Sequence, residues 1–258
     1  MPSRAEGVLL LTALAFASCG GDQATPQASG SFNPSDAPVR LDGDLAEWAE
    51  VPRLIEDPSD TETAEIDIRW VSAMDDPAWL YFAVDLDREV NAQRMRGTLR
   101  FLIDADADSG TGTEVSGLPG TDLVVEISPV ADPDGDARGV GAGVRGADAR
   151  GLAELLSPYT LDVVLAPTWS ATLFELRLRR DGSADDGLPA LGQRIRIRAV
   201  YVEGRTVMDE TVVAEYAFQT SPAPPAFGDG ARERLARREG ATRVAQLNVS
   251  SGRFNRHT

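Results

Sequence analysis

The chain has 258 residues, 42% hydrophobic and 26% charged, enough for one substantial core with appendages and too little for two large domains. Its formal net charge is −16 and all 25 basic residues are arginine, so its overall acidity argues against nucleic acid as a partner of the body of the chain. Histidine occurs once, at His257, and cysteine once, at Cys19, which excludes a Ser/His/Asp triad, a Cys/His pair and a His-rich zinc or haem site from the body of the sequence.

Met1 to Cys19 reads as a targeting segment. Arg4 gives it a positive start, Val8 to Phe16 an apolar run too short to span a bilayer as a helix, and Phe16-Ala17-Ser18-Cys19 a small-residue exit. The pattern resembles a bacterial lipoprotein signal over 1–18, which implies that Cys19 is lipidated and becomes the first mature residue. An ordinary secretory signal with an incidental cysteine is the other reading. Residues 19–37, rich in Gly, Ser, Pro and Gln, suit a flexible, disordered tether. In the lipoprotein pattern, Gly20 after the cysteine implies export to the outer membrane, with the lipid as the sole membrane contact.

The folded part is expected over 38–220. Val39 to Trp48 reads as a short strand, an Asp42-Gly43 turn and a turn-like segment ending in a large ring. From Glu65 to Ala73 the residues alternate, with Ile66, Ile68 and Trp70 on one face and Asp67 and Arg69 on the other. Asp75-Asp76-Pro77 turns the chain into a second strand, Trp79 to Asp87. Thr98 to Ser128 reads as a hairpin in which Leu99, Phe101 and Ile103 share a face, as do Leu123, Val125 and Ile127. Residues 131–151 read as a loop with a weak strand at Val140 to Val144. Further strands are expected over 159–166, 170–179, 194–202 and 207–218. Their alternate arginines and Glu175 define polar faces that read as solvated and laddered with carboxylates. The spacing predicts an all-β antiparallel β-sandwich of about eight to ten strands.

The hairpin loop carries Asp104, Asp106 and Asp108 at alternate positions and returns to Asp122. Carboxylates crowded at one end of a hairpin repel one another unless water or a cation screens them, and hard oxygen donors at this spacing suit calcium. Ser109 and Val115 stand where an EF-hand needs its glycine and its last glutamate, so the expectation is a structural, non-catalytic Ca2+ site. A solvated turn rich in aspartate is the competing reading.

Three stretches, LDGDLAEW at 41–48, IDIRWVSAMDDPAWLYFAV at 66–84 and FLIDADADSGTG with GTDLVVEI at 101–127, resemble the family 9 carbohydrate-binding modules and the wider DOMON-like group of β-sandwiches. The resemblance implies a non-catalytic module that binds carbohydrate or another extracellular ligand. Flat aromatic faces suit sugars, and Trp169 and Trp79 are the candidate ligand contacts, whereas Trp48 and Trp70 read as packing residues. Some DOMON-like relatives hold haem on methionine and histidine. Met74, Met95 and Met208 have no histidine partner, so no haem is expected. No motif singles out a catalytic carboxylate pair among the 41 acidic residues.

Residues 221–241 read as a Pro-rich linker with a short basic helix at Ala231 to Glu239, and 242–258 as a further strand. Thr242 to Ser250 resembles the opening strand of the endonuclease/exonuclease/phosphatase superfamily, with Asn248 matching an asparagine near a divalent metal. That likeness implies an alternative function, an accessory domain of a larger hydrolase whose catalytic part lies beyond the sequence; a stray edge strand is the other reading.

Overall fold

Strands form where β-branched and aromatic residues alternate with polar ones, and their shared apolar faces must meet to leave water. The computed structural model describes residues 38–131, 134 and 138–222. The signal and tether expected at 1–37, with Cys19, nearly all of the linker and helix expected at 221–241, and the strand expected at 242–258 lie outside the described residues.

One antiparallel sheet contains β1 (Arg53–Glu56), β2 (Trp70–Asp75), β3 (Trp79–Val90), β10 (Val164–Ala166) and β11 (Ala171–Arg179), in the order β1-β2-β3-β11-β10. The second has β4 (Thr98–Asp104), β7 (Leu123–Ile127), β8 (Ala142–Asp148), β9 (Gly151–Leu152), β12 (Arg194–Glu203) and β13 (Thr206–Glu210), in the order β13-β12-β4-β7-β8-β9, with β14 (Ala214–Ala217) also on β12. A small hairpin, β5 (Thr113–Val115) and β6 (Leu118–Thr121), completes the set.

The all-β antiparallel sandwich expected from the spacing is the fold observed. Its core lies between the sheets, where Phe82, Val84, Phe174 and Leu176 meet Phe101, Ile103, Val125 and Ile197. Phe82 and Phe101 stack with ring centroids 5.3 Å apart. Burying one such aromatic contributes about 1.5–3 kcal/mol.

Each sheet also has its outer face covered. Leu102, Val124, Val200 and Val202 lie beneath the β5–β6 hairpin through Leu118 and Val115. On the opposite side, Tyr81 and Ala83 lie beneath the segment 39–51, with Val39 and Trp48 buried against them.

Several local expectations change. Fourteen strands are present among the described residues, more than the eight to ten expected. The surplus comes from short elements such as β1, β5, β6 and β9, and from a break at 211–213 that divides the expected 207–218 strand into β13 and β14. Both pair with β12, at Val200 to Glu203 and Arg194 to Ile197 respectively. Val39 to Leu41 is not a strand; the segment passes through a 3-10 turn at Ala46–Trp48.

Trp70 does not share a face with Ile66 and Ile68. The Arg69 N–H donates to the Asp85 carbonyl while Trp70 is the residue in register with Asp85, so two residues oppose one and the alternation slips by one place. Val71 consequently enters the core, and Trp70 turns to the outer face beside the Trp48 cluster.

Candidate functional site

The outer cover of the five-stranded sheet is fastened by one carboxylate. Glu175 projects from β11 to the outer face and is fully buried there, not solvated as its place among arginines implied. Its Oε1 accepts the Trp48 indole N–H at 2.8 Å, and its Oε2 accepts the Gly43 backbone N–H at 3.0 Å. Burial pushes the Glu175 carboxyl above its ordinary value, against the two donors that stabilise its charge.

Gly43 explains the Asp-Gly turn. Its φ is +85°, and a Cβ there would lie 3.0 Å from Pro167 Cβ and 3.4 Å from Trp169 Cζ2. The turn therefore abuts the Trp169 indole. Trp169 stays 59% exposed; Tyr159 is the other aromatic ring so presented among the described residues. It lines a shallow open groove of about 480 Å³ with Gly43, Leu45, Glu89, Pro167 and Thr172. A flat apolar face flanked by a carboxylate and a hydroxyl is chemistry suited to a sugar ring.

Trp79, the other candidate aromatic, is in a different setting. It is half-buried at the edge of the Trp48 cluster, and the Arg177 guanidinium covers its ring at 4.3 Å from the centroid. Trp79 pairs with Arg179 at one end of β11, while Trp169 precedes the other end. The nine residues of β11 lie between them, about 30 Å of strand, so they do not form one clamp.

At the far end of the seven-stranded sheet the acidic loop closes on itself. Asp104, Asp106 and Asp122 each bring a carboxylate oxygen within 4.8 Å of the others. Asp104 is fully buried, and its Oδ2 accepts the Arg196 Nε–H at 2.6 Å from the neighbouring strand. Its Oδ1 is buried with no partner. Asp122 Oδ2 accepts the Ala105 N–H at 2.9 Å, and Asp106 Oδ1 accepts the Asp108 N–H at 2.9 Å.

Asp108 does not join them, because its Oδ1 turns to the Gly110 N–H at 2.8 Å. Gly112, at φ +56°, allows the close approach: a Cβ there would meet Thr121 O at 2.3 Å and Asp122 Oδ1 at 2.7 Å. Burial pushes the Asp104 and Asp122 carboxyls up, and the charge of Asp106 adds to both. Three converging carboxylates with one unsatisfied buried oxygen fit a hard cation.

The arginine faces are laddered with carboxylates. Arg100 and Arg145 hold the two oxygens of Glu126 at 3.0 and 3.2 Å, Arg198 reaches Glu210 at 2.8 Å, and Arg194 reaches Glu215 at 3.2 Å. These arginines neutralise neighbours and do not form a continuous basic groove.

The sequence left two structural groupings unread. One is the Trp48–Glu175 anchor. The other gathers Asp57, Asp60 and Asp209 at the seam between the sheets, and no short-range spacing marks it. A scan against protein-family models finds no match, and a search of the curated proteins finds none either.

Proposed function

We propose that the chain is a non-catalytic, extracytoplasmic binding module for carbohydrate, lipid-anchored through Cys19, with the sugar seated on Trp169. The exposed indole in its open groove carries this reading. The ring offers a stacking face, while Glu89, Ser170 and Thr172 along the same groove offer hydrogen-bonding groups for hydroxyls. The likeness of the LDGDLAEW stretch to carbohydrate-binding modules supports it too, since that stretch supplies Gly43 beneath the indole. Two buried glutamates are committed to anchoring: Glu175 holds the cover and Glu126 two arginines. The loop of Asp104, Asp106 and Asp122 is read as a structural Ca2+ site that neutralises its own charge.

The test is a glycan array probed with the purified chain and with its Trp169→Ala variant. Binding by the parent that disappears in the variant is the expected result. A blank array, or equal binding by both proteins, overturns the assignment.

A further inference from the structure

The seam where the two sheets meet at their edges carries four carboxylates from distant parts of the chain. Asp57 follows β1 at the edge of the five-stranded sheet, and Asp209 lies in β13 at the edge of the seven-stranded one. Asp60 comes from the loop after β1, and Asp57, Asp60 and Asp209 bring oxygens within 4.8 Å of one another. Asp67 stands beside them, close enough that its charge acts on both Asp57 and Asp209.

Clustered acid alone is common on protein surfaces, but here two buried oxygens lack partners. Asp67 is fully buried; its Oδ2 accepts the Ser59 hydroxyl at 2.6 Å, while its Oδ1 has no hydrogen bond. Asp57 Oδ2 is also buried without one. Leaving such an acceptor dry and unpaired is destabilising, the more so when it is charged. Asp209 Oδ2 is engaged, accepting the Ile68 N–H at 2.6 Å across the seam.

Neighbouring arginines do not fill the gap. Arg88 is spent on the carbonyls of Thr61 and Ala64, which holds the loop in place. Arg198 donates to Thr211 O and Ser116 O and pairs with Glu210. Arg69 is the other cation whose charge reaches Asp57. Four carboxylates therefore outnumber the positive charge at the seam. Burial, reinforced by Asp57, Asp67 and Asp60, pushes the Asp209 carboxyl up to about 6, a further sign of uncompensated negative charge.

We propose that Asp57, Asp60 and Asp209, with the charge of Asp67 beside them, form a divalent-cation site, separate from the acidic hairpin loop, that ties the edge of one sheet to the edge of the other. The donor set is all oxygen, which selects a hard cation of the Ca2+ type over metals that prefer thiolate or imidazole. The ion takes up the orphaned oxygen of Asp57, offsets the buried charge of Asp67 and joins β1 to β13 without any sequence-local loop.

Calorimetric titration of the chelator-treated full chain with CaCl2 tests this, comparing the parent with Asp60→Asn, Asp209→Asn and the loop variant Asp106→Asn. Asp60 is exposed, so its variant tests the site even if Asp209→Asn fails to fold. A binding step with a Kd of about 10⁻⁴ to 10⁻³ M, as in extracellular modules, is expected in the parent. That step should weaken at least about tenfold in Asp60→Asn and persist in Asp106→Asn. No Ca2+ binding by the parent up to about 10 mM, or binding unaltered by Asp60→Asn, overturns the proposal.

Discussion

Trp48 and Glu175 lie 127 residues apart in the chain and meet at 2.8 Å, an indole N–H on a buried carboxylate that fastens the N-terminal cover to the outer face of β11. Removing the carboxylate leaves the Trp48 and Gly43 donors unpaired together. Glu175→Ala should therefore destabilise the fold by about 2–4 kcal/mol, and Trp48→Phe, which keeps the ring, by about 1–2 kcal/mol. Urea unfolding measures both, and a loss under about 0.5 kcal/mol for Glu175→Ala would contradict the anchor.

The two candidate tryptophans should separate cleanly. Trp169→Ala is expected to abolish glycan binding while altering stability by no more than about 0.5 kcal/mol, because the ring is largely in water. Trp79→Ala should leave binding intact and cost about 1–3 kcal/mol through lost packing and the Arg177 contact. Binding isotherms paired with unfolding curves check the pair, and the reverse pattern would move the site to Trp79.

Acid should act through Asp75. Burial by itself raises this carboxyl, and hydrogen bonds from Thr220, Gln219 and Tyr216 outweigh burial, holding it below its usual value of 3.8. A depressed folded value means that the group stabilises the protein above the unfolded value and loses that contribution as pH falls through the folded one. Asp75 also faces Arg180 at 3.3 Å with both side chains shut from solvent. Asp75→Asn should cost about 3 kcal/mol at neutral pH, a gap that narrows as pH drops below about 4. Unfolding curves of both proteins between neutral and strongly acidic pH would show it; a constant gap would refute the assignment.

Chelation tests the hairpin loop. If Asp104, Asp106 and Asp122 hold Ca2+, removing it should lower the melting temperature by about 5 °C, and Asp106→Asn should abolish the part of the calcium response due to this loop. The variant shares no residue with the seam cluster, so calorimetric scans of parent and variant, with and without calcium, separate the two. Identical calcium responses in both proteins would leave the loop a solvated turn.

Much of the sandwich could be read from periodicity because its strands obey it. Leu99, Phe101 and Ile103 occupy the core face as their spacing required, and the arginines of β12 pair with carboxylates as a polar face should. Periodicity failed where something distant decided. Glu175 sits at a polar position, yet the segment 39–51 folds over it, and nothing within β11 announces that cover. Trp70 lost its expected face to the doubled residue opposite Asp85. Of the candidate site residues, Asp104, Asp106 and Asp122 converge as their spacing anticipated, while Asp108 is claimed by its own turn. Asp67 and Asp209 stand 142 positions apart, beyond the reach of any local pattern.

Both flanks of the sandwich end on the same sheet. The Gly43 and Trp48 side is hooked onto Glu175 in β11, and the Gln219 and Thr220 side onto Asp75 in β2, with Arg180 gripping Thr220 as well. Traction entering at one flank and leaving at the other is thus carried in part through β2, β3 and β11, three neighbours zipped along their length. At the Thr220 flank the backbone also leads straight into β14 on the seven-stranded sheet, so the Asp75 clasp divides that pull between the two layers and spares the β14–β12 pairing from bearing it alone.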